Sequence, residues 1–368
     1  MIIKTLGLKE LKDFIKSDEF KRMENIPIPT IRAISQINNP RLREEDTILC
    51  LAYIDDNFAG YLGALPDDIF IDGNKHHIAW LSCLWVDNKM RGKGIAPALL
   101  NKMVELWNHN LFIVNFTPVA KKAYDKTGAF DYLKSITGIR GYIRLNLHQL
   151  QPRKNEKNKK LIWFYHIIDF SFNILNSLRL SFINFNKKIK SINIQEVSSI
   201  DEDIKNFILL NNKNELTKRG VKELEWIIQY PWLKNIEKSD GEYKKYAFSS
   251  VAKNYKLINL KITEKDGKII GFLMLHIRDR EMKIPYAYFH NNSDKICGAI
   301  YHYLNLYKIR TLTVYKNNLV DAVKNNTYPF FKIRELTRTY LTTYKLKETF
   351  PNLDSYEFQD GDGDSAFT

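Results

Sequence analysis

Along the first 145 residues the spacing of apolar positions changes several times, and each change marks an element. Residues 2–6 read as a short strand, and Leu8, Leu11, Phe14 and Ile15 recur at helical spacing, which predicts a helix over 8–23. Pro27 and Pro29 end it, and a second helix over 30–37 stops at the turn residues Asn38-Asn39-Pro40. Two apolar runs, 47–54 and 58–65, flank Asp55-Asp56-Asn57 and read as a hairpin. After a turn at Asp72-Gly73-Asn74, residues 77–86 are almost uninterruptedly apolar, as expected of a strand covered on both faces. A helix over 94–108 follows, with Leu99, Leu100, Met103 and Leu106 on its buried stripe, then a strand over 111–115. The next helix, 118–127, begins well, because Thr117 can cap it and Pro118 is tolerated at the first helical position. Strand-like residues 129–133 and 142–147 close the region.

The pattern then changes character. A polar, basic stretch over 153–160 leads into an apolar helix over 161–185, whose His166, Asp169, Asn173, Asn176 and Arg179 form one stripe. This predicts a helix with a wet polar face, packed between two domains. Basic residues flanking its aromatic-rich face also leave association with a membrane surface open. From residue 194 a second series appears: helices over 201–211 and 221–229, strands over 257–264, 269–277 and 282–289, a helix over 294–307, a strand over 311–315 and a helix over 319–325. Strand-like runs at 330–334 and 340–344 end it. The order repeats that of the first half, so the chain reads as a tandem of two similarly folded domains.

Length and charge refine this. At 368 residues the chain exceeds what one core serves, so two domains are expected. The net charge of +14 raises the question of nucleic acid, but its location argues against that. Residues 1–150 carry 20 basic and 17 acidic side chains, and residues 194–368 carry 27 and 23, whereas 151–193 carry nine and two. The excess is therefore local, and no nucleic-acid partner is expected. Three cysteines, Cys50, Cys83 and Cys297, form no CxxC pair, so no metal site is expected and a reducing cytoplasm fits. No run of 18 uncharged apolar residues occurs and the N-terminal residues lead directly into a charged helix, which predicts neither a membrane span nor a leader. The tail Asp360-Gly361-Asp362-Gly363-Asp364-Ser365 spaces carboxylates as calcium loops do but lacks the closing glutamate, and reads as a mobile acidic extension.

The segment that carries chemistry follows the expected central strand: Val86-Asp87-Asn88-Lys89-Met90-Arg91-Gly92-Lys93-Gly94-Ile95-Ala96. A phosphate-binding turn needs consecutive backbone N–H groups that point into one concavity, and glycines at 92 and 94 remove side chains that would obstruct it. Arg91 and Lys93 add charge, and the helix N-terminus adds its dipole. Strand, loop and helix in that order are the context such a loop needs, with a plain tight turn as the alternative.

This segment resembles motif A of the GNAT superfamily of N-acetyltransferases, Arg/Gln-x-x-Gly-x-Gly/Ala. A second family motif, Ala-x-x-x-Tyr-x-x-x-Gly-Phe, is answered by Ala120, Tyr124, Gly128 and Phe130, with Ala129 as an extra residue; Thr117 stands where the family usually has Asn. The resemblance covers residues 1–147. It implies an α/β (α+β) fold, a mixed, mostly antiparallel central sheet flanked by helices, with acetyl-CoA as cosubstrate. It also implies that backbone groups of Leu84 and Val86 pair with the pantetheine arm. Arg91, Gly92, Lys93, Gly94, Ile95 and Ala96 would hold the pyrophosphate, Thr117 would lie at the coenzyme, and Tyr124 would be the general acid that protonates the departing thiolate.

Many relatives place a Glu on the central strand as general base, but Leu81-Ser82-Cys83-Leu84-Trp85-Val86 contains no carboxylate. A water chain or a residue from elsewhere must serve. Asp67, Asp68, His76 and His77 are candidates, each also readable as a solvated turn residue. In the second half His290-Asn291-Asn292-Ser293-Asp294-Lys295 occupies the loop position and has no glycine before Gly298, so that half resembles a degenerate GNAT domain that does not bind coenzyme conventionally.

The expected organisation is thus a GNAT domain over 1–150, a basic linker with an amphipathic helix over 151–193, a second GNAT-like domain over 194–350 and an acidic tail over 351–368. The expected activity is transfer of acetyl from acetyl-CoA to a primary amine by direct attack, with a small acceptor such as an aminosugar or amino acid. A non-catalytic acyl-CoA-binding or interaction protein is the alternative, and a homodimer is open.

Overall fold

Turn chemistry sets the strand boundaries of the first half. Asp55 and Asp56 both have positive φ (47° and 61°), as do Asp72 and Gly73 (50° and 82°). Each pair makes a two-residue turn whose twist suits a hairpin.

The computed structural model describes residues 1–181, 190–236, 241–325 and 328–367. In chain order its strands are β1 (Ile2–Leu6), β2 (Leu49–Ile54), β3 (Asn57–Ile71), β4 (Asn74–Val86), β5 (Leu111–Ile113), β6 (Phe130–Tyr142) and β7 (Ile192–Val197). There follow β8 (Lys234–Asn235), β9 (Val251–Ala252), β10 (Tyr255–Glu264), β11 (Ile269–Arg278), β12 (Glu281–Phe289), β13 (Thr311–Val314) and β14 (Lys332–Thr343). The fold is mixed α/β with a mostly antiparallel sheet flanked by helices, as the resemblance implies.

The chain divides into two units. The first comprises residues Met1–Ile136, Ser199–Tyr255 and Arg338–Thr368, and the second Thr137–Ser198 and Lys256–Thr337. In the first unit the strand order is β1-β2-β3-β4-β5-β14, antiparallel except for the β4/β5 pair. In the second it is β6-β13-β12-β11-β10-β7, with β12/β13 parallel and β6/β13 antiparallel. This division differs from the contiguous boundaries at 150, 193 and 350. The end of β6 joins the second unit, where Ile139 pairs with Val314, and the end of β14 joins the first, where Leu341 pairs with Ile113. A hydrophobic pattern shows that a strand exists but not which sheet edge receives it.

Within the first unit, successive residues of the inner strands serve opposite faces. Cys50, Ala52, Leu62 and Leu81 pack under the helix Ile95–Leu106, while Leu51 and Tyr61 pack with Leu11, Phe14 and Phe20 of the N-terminal helices. The expected single helix over 8–23 is two, Leu8–Phe14 and Asp18–Arg22, because Ser17 Oγ accepts the Phe20 N–H at 3.1 Å and starts a new helix. β3 runs past the expected end at residue 65, with Pro66 in the stretch that β2 no longer pairs.

That extension buries Asp67 and Asp68, which the sequence reading placed in a solvated turn. Asp67 accepts from Arg41 at 2.6 Å, from Arg219 at 2.7 Å and from the Trp80 indole at 3.0 Å. Burial alone would raise its pKa, but the Arg219 and Arg41 cations outweigh burial and hold it below the ordinary carboxylate value. The folded pKa lies below the unfolded one, so this contribution to stability is complete above about pH 4 and is lost as pH falls below it. Asp67→Ala leaves two buried guanidinium groups without their shared partner and is expected to cost about 3–5 kcal/mol, read from the urea midpoint at pH 7.

The tail also departs from expectation. Residues 359–363 and 365–367 are buried in the first unit rather than forming a mobile extension. Arg219 donates to the carbonyls of Gly361 and Gly363, Arg338 to that of Asp360, and Phe367 stacks on Trp232 with ring centroids 4.3 Å apart. Gly363 has φ +69°, and a Cβ there would stand about 3 Å from Val114 and the Trp80 ring.

In the second unit the helix Ile162–Ser181 is inverted relative to its expected wet stripe; positions 182–185 of the expected helix lie outside the described residues. Its polar side faces inward. Asp169 accepts the backbone N–H groups of Leu147 and His148 at 2.8 and 3.0 Å, Asn173 bonds both backbone groups of Leu145, and Asn176 donates to Ile143 at 2.6 Å. Backbone groups of 143–148 that are left over by the neighbouring strand and the helix Leu147–Lys154 thereby find partners in side chains of this helix.

Candidate acyl-CoA site

β4 and β5 pair only from Ala79/Leu111 to Leu81/Ile113, yet β4 continues to Val86. Beyond Leu81 the two strands part, and no strand among the described residues pairs with the released edge of β4 on that side. The register against β3 slips at the same place, between Tyr61 and Gly63, and Cys83 stands there at φ +59°. This bulge turns the backbone of Leu84–Val86 into a cleft of about 570 Å³. An open strand edge inside a cleft can hydrogen-bond an extended ligand chain as a further strand would.

The loop Arg91–Gly94 and the first residues of the helix Ile95–Leu106 form one wall, and the helix Pro118–Thr127 forms the other. Leu84, Val86, Arg91, Gly92, Gly94, Ile95, Ala96 and Thr117 all line the cleft. Lys93 is exposed beside it and reaches the Met90 sulfur. Gly92 and Gly94 have φ +84° and +76°, and a Cβ at either would meet nothing within 4 Å. Glycine is required here by the left-handed backbone rather than by crowding from the protein. The first helical N–H groups lack intrahelical acceptors and lie at the cleft, where an anion would be stabilised. Lys122 and Lys126, one turn apart on the opposite wall, bring two further cations that the sequence reading missed. Thr117 caps its helix, accepting the Ala120 N–H at 3.2 Å, so its hydroxyl already has a structural task.

Tyr124 lies on the same helix, buried between Phe116 and Phe130. Burial raises its phenol pKa, and the nearby Asp364 and Cys83 raise it further, so the group keeps its proton.

A second cluster gathers on β4 next to the bulge. Arg32 is fully buried and donates to Cys83, to the Ser82 hydroxyl at 2.7 Å and to the Tyr246 hydroxyl at 2.9 Å, with its guanidinium 4.0 Å from the Trp232 ring centre. Burial disfavours the cation, but Cys83, Tyr246 and Asp364 more than offset this. Ser82 in turn donates to Asp364 at 2.7 Å. Asp364 is the half-buried residue in an otherwise buried stretch of tail. The central strand lacks a carboxylate of its own, and the folded tail brings one to it.

The base candidates drawn from the sequence are committed elsewhere. Asp67 is held by two arginines, Asp68 by Lys75 and His77, and His77 stands between Asp68 and Asp46 at 2.9 Å from each. His76 packs on Phe350. Trp226 and Trp232 belong to the core, where both donate to Ser35 and Phe367 packs on them.

Residues 11–128 match the family model described as the acetyltransferase (GNAT) family. No curated protein matches the sequence. Among solved structures, a probable N-acyltransferase from Enterococcus faecalis V583 is similar over 94% of this chain and 73% of its own, with 13% identity and a TM-score of 0.50. An N-myristoyltransferase from Saccharomyces cerevisiae with bound myristoyl-CoA is similar over 93% of this chain and 78% of its own, with 12% identity and a TM-score of 0.51. At these identities the likeness concerns the fold.

Proposed function

We propose that the chain, whose residues 11–128 match the acetyltransferase (GNAT) family, transfers acetyl from acetyl-CoA to a primary amine of a small molecule, such as an aminosugar or amino acid. The observation that carries this reading is the cleft, in which a released strand edge, a left-handed glycine loop, a helix N-terminus and two lysines converge. In this reading Arg91, Gly92, Lys93, Gly94, Ile95 and Ala96 receive the diphosphate, and the backbone of Leu84 and Val86 receives the pantetheine arm. The region 194–350 is read as holding a second, degenerate GNAT-like fold, of which Ser199–Tyr255 and the residues from Arg338 onward group with the first unit.

The chemistry follows from the groups at the bulge. Asp364 takes a proton from the acceptor ammonium, and the freed lone pair attacks the thioester carbonyl carbon. As the tetrahedral intermediate collapses, the C–S bond breaks and Tyr124 protonates the thiolate; the proton left on the new amide nitrogen restores the phenol. The products are an amide, free CoA and one proton. The lack of a carboxylate on the central strand favours the non-catalytic alternative, and the carboxylate of Asp364 beside Ser82 supports the catalytic reading.

Thiol release from acetyl-CoA, followed against a panel of aminosugars, amino acids and lysine peptides, tests the proposal, with longer acyl-CoA esters in parallel. Acceptor-dependent release with one small amine class is expected. Release with no amine, in protein that binds CoA, would return the alternative.

A further inference from the structure

The helix Ile162–Ser181 presents its apolar side to solvent. Trp163, Ile167, Phe170, Ile174, Leu175 and Leu178 are 45–69% exposed. They fall within an arc of about 140° at 3.6 residues per turn. Asp169, Asn173 and Asn176 occupy the opposite side and are spent on the backbone of 143–148. The orientation is therefore fixed from within: rotating the helix to bury its apolar side would strip several backbone groups of their partners. A contiguous apolar stripe of this kind marks an interaction surface.

Charge selects the occupant. Residues 151–193 hold nine basic and two acidic side chains, and Lys154, Lys157 and Lys160, just before the helix, are exposed. A second copy on the same face would set two such segments against each other, whereas an acidic surface would be attracted. No helix among the described residues is long and apolar enough to cross a membrane, so the helix would lie on one. We infer that this face seats the protein on an anionic lipid surface, with the aromatic and aliphatic side chains below the headgroups and the lysines among them.

The test is co-sedimentation of the full chain with vesicles of phosphatidylcholine alone or mixed with phosphatidylglycerol. Binding to the acidic vesicles, weakened by salt, is expected. The double substitution Phe170→Glu with Leu175→Glu should reduce it by roughly tenfold or more, and Lys157→Glu with Lys160→Glu should reduce it at low salt. Both pairs are exposed, so circular dichroism and thermal unfolding should stay as in the parent. No binding to acidic vesicles, equal binding to neutral ones, or binding indifferent to Phe170→Glu with Leu175→Glu would overturn the inference. A dimer that this double substitution converts to monomer, with vesicle binding unchanged, would assign the face to a second copy instead.

Discussion

Replacing Tyr124 by phenylalanine should lower kcat for thiol release by roughly 10²- to 10⁴-fold and leave acetyl-CoA affinity as it was. The substitution keeps the ring that packs between Phe116 and Phe130, so the fold loses no buried apolar surface. Only the hydroxyl goes, and with it the proton for the departing thiolate. Burial, Asp364 and Cys83 all push the phenol above its ordinary value, so ionisation of Tyr124 should set in only above about pH 10. An alkaline limb at lower pH that persists in the Phe variant belongs to another group. A Phe variant with unchanged kcat would assign Tyr124 to the core alone.

Asp364→Asn should lower kcat/KM at neutral pH by roughly 10²-fold or more. An asparagine oxygen can still accept the Ser82 hydroxyl, so the tail should keep its place. The variant should recover part of its rate as pH rises, because a growing fraction of the acceptor then arrives as free amine and needs no base. A structural role would give a loss independent of pH together with a lowered melting temperature. Direct attack further requires that Cys83→Ala retain turnover, despite the position of that thiol at the bulge.

How much of this could be read from the sequence depends on the distance over which each feature is built. The strand-loop-helix turn at Gly92 and Gly94 was legible because strand, glycines and helix start lie within eleven residues and report their own geometry. Thr117 and Pro118 announced their helix for the same reason. The cluster beside the bulge was not legible, since Ser82 and Asp364 are 282 positions apart and Arg32 and Tyr246 are 214 apart. No local signal distinguishes an acidic tail that stays in solvent from one that Arg219 and Arg338 draw into the fold. Periodicity in the helix Ile162–Ser181 revealed a polar stripe but not which side faces inward. That was decided by backbone groups of residues 143–148 that take their partners from this helix. The exchange of β6 and β14 escaped for the reason that pairing partners leave little trace in a single strand.

Coenzyme binding at the loop of Gly92 and Gly94 is tested most directly by calorimetric titration of the purified chain with CoA. One CoA should bind per chain. Gly94→Val, which forces a β-branched residue toward φ +76°, should weaken that binding by roughly tenfold or more while thermal unfolding shows the fold retained. Absence of CoA binding, or equal affinity in the folded Gly94→Val variant, would contradict the assignment of this cleft to an acyl-CoA.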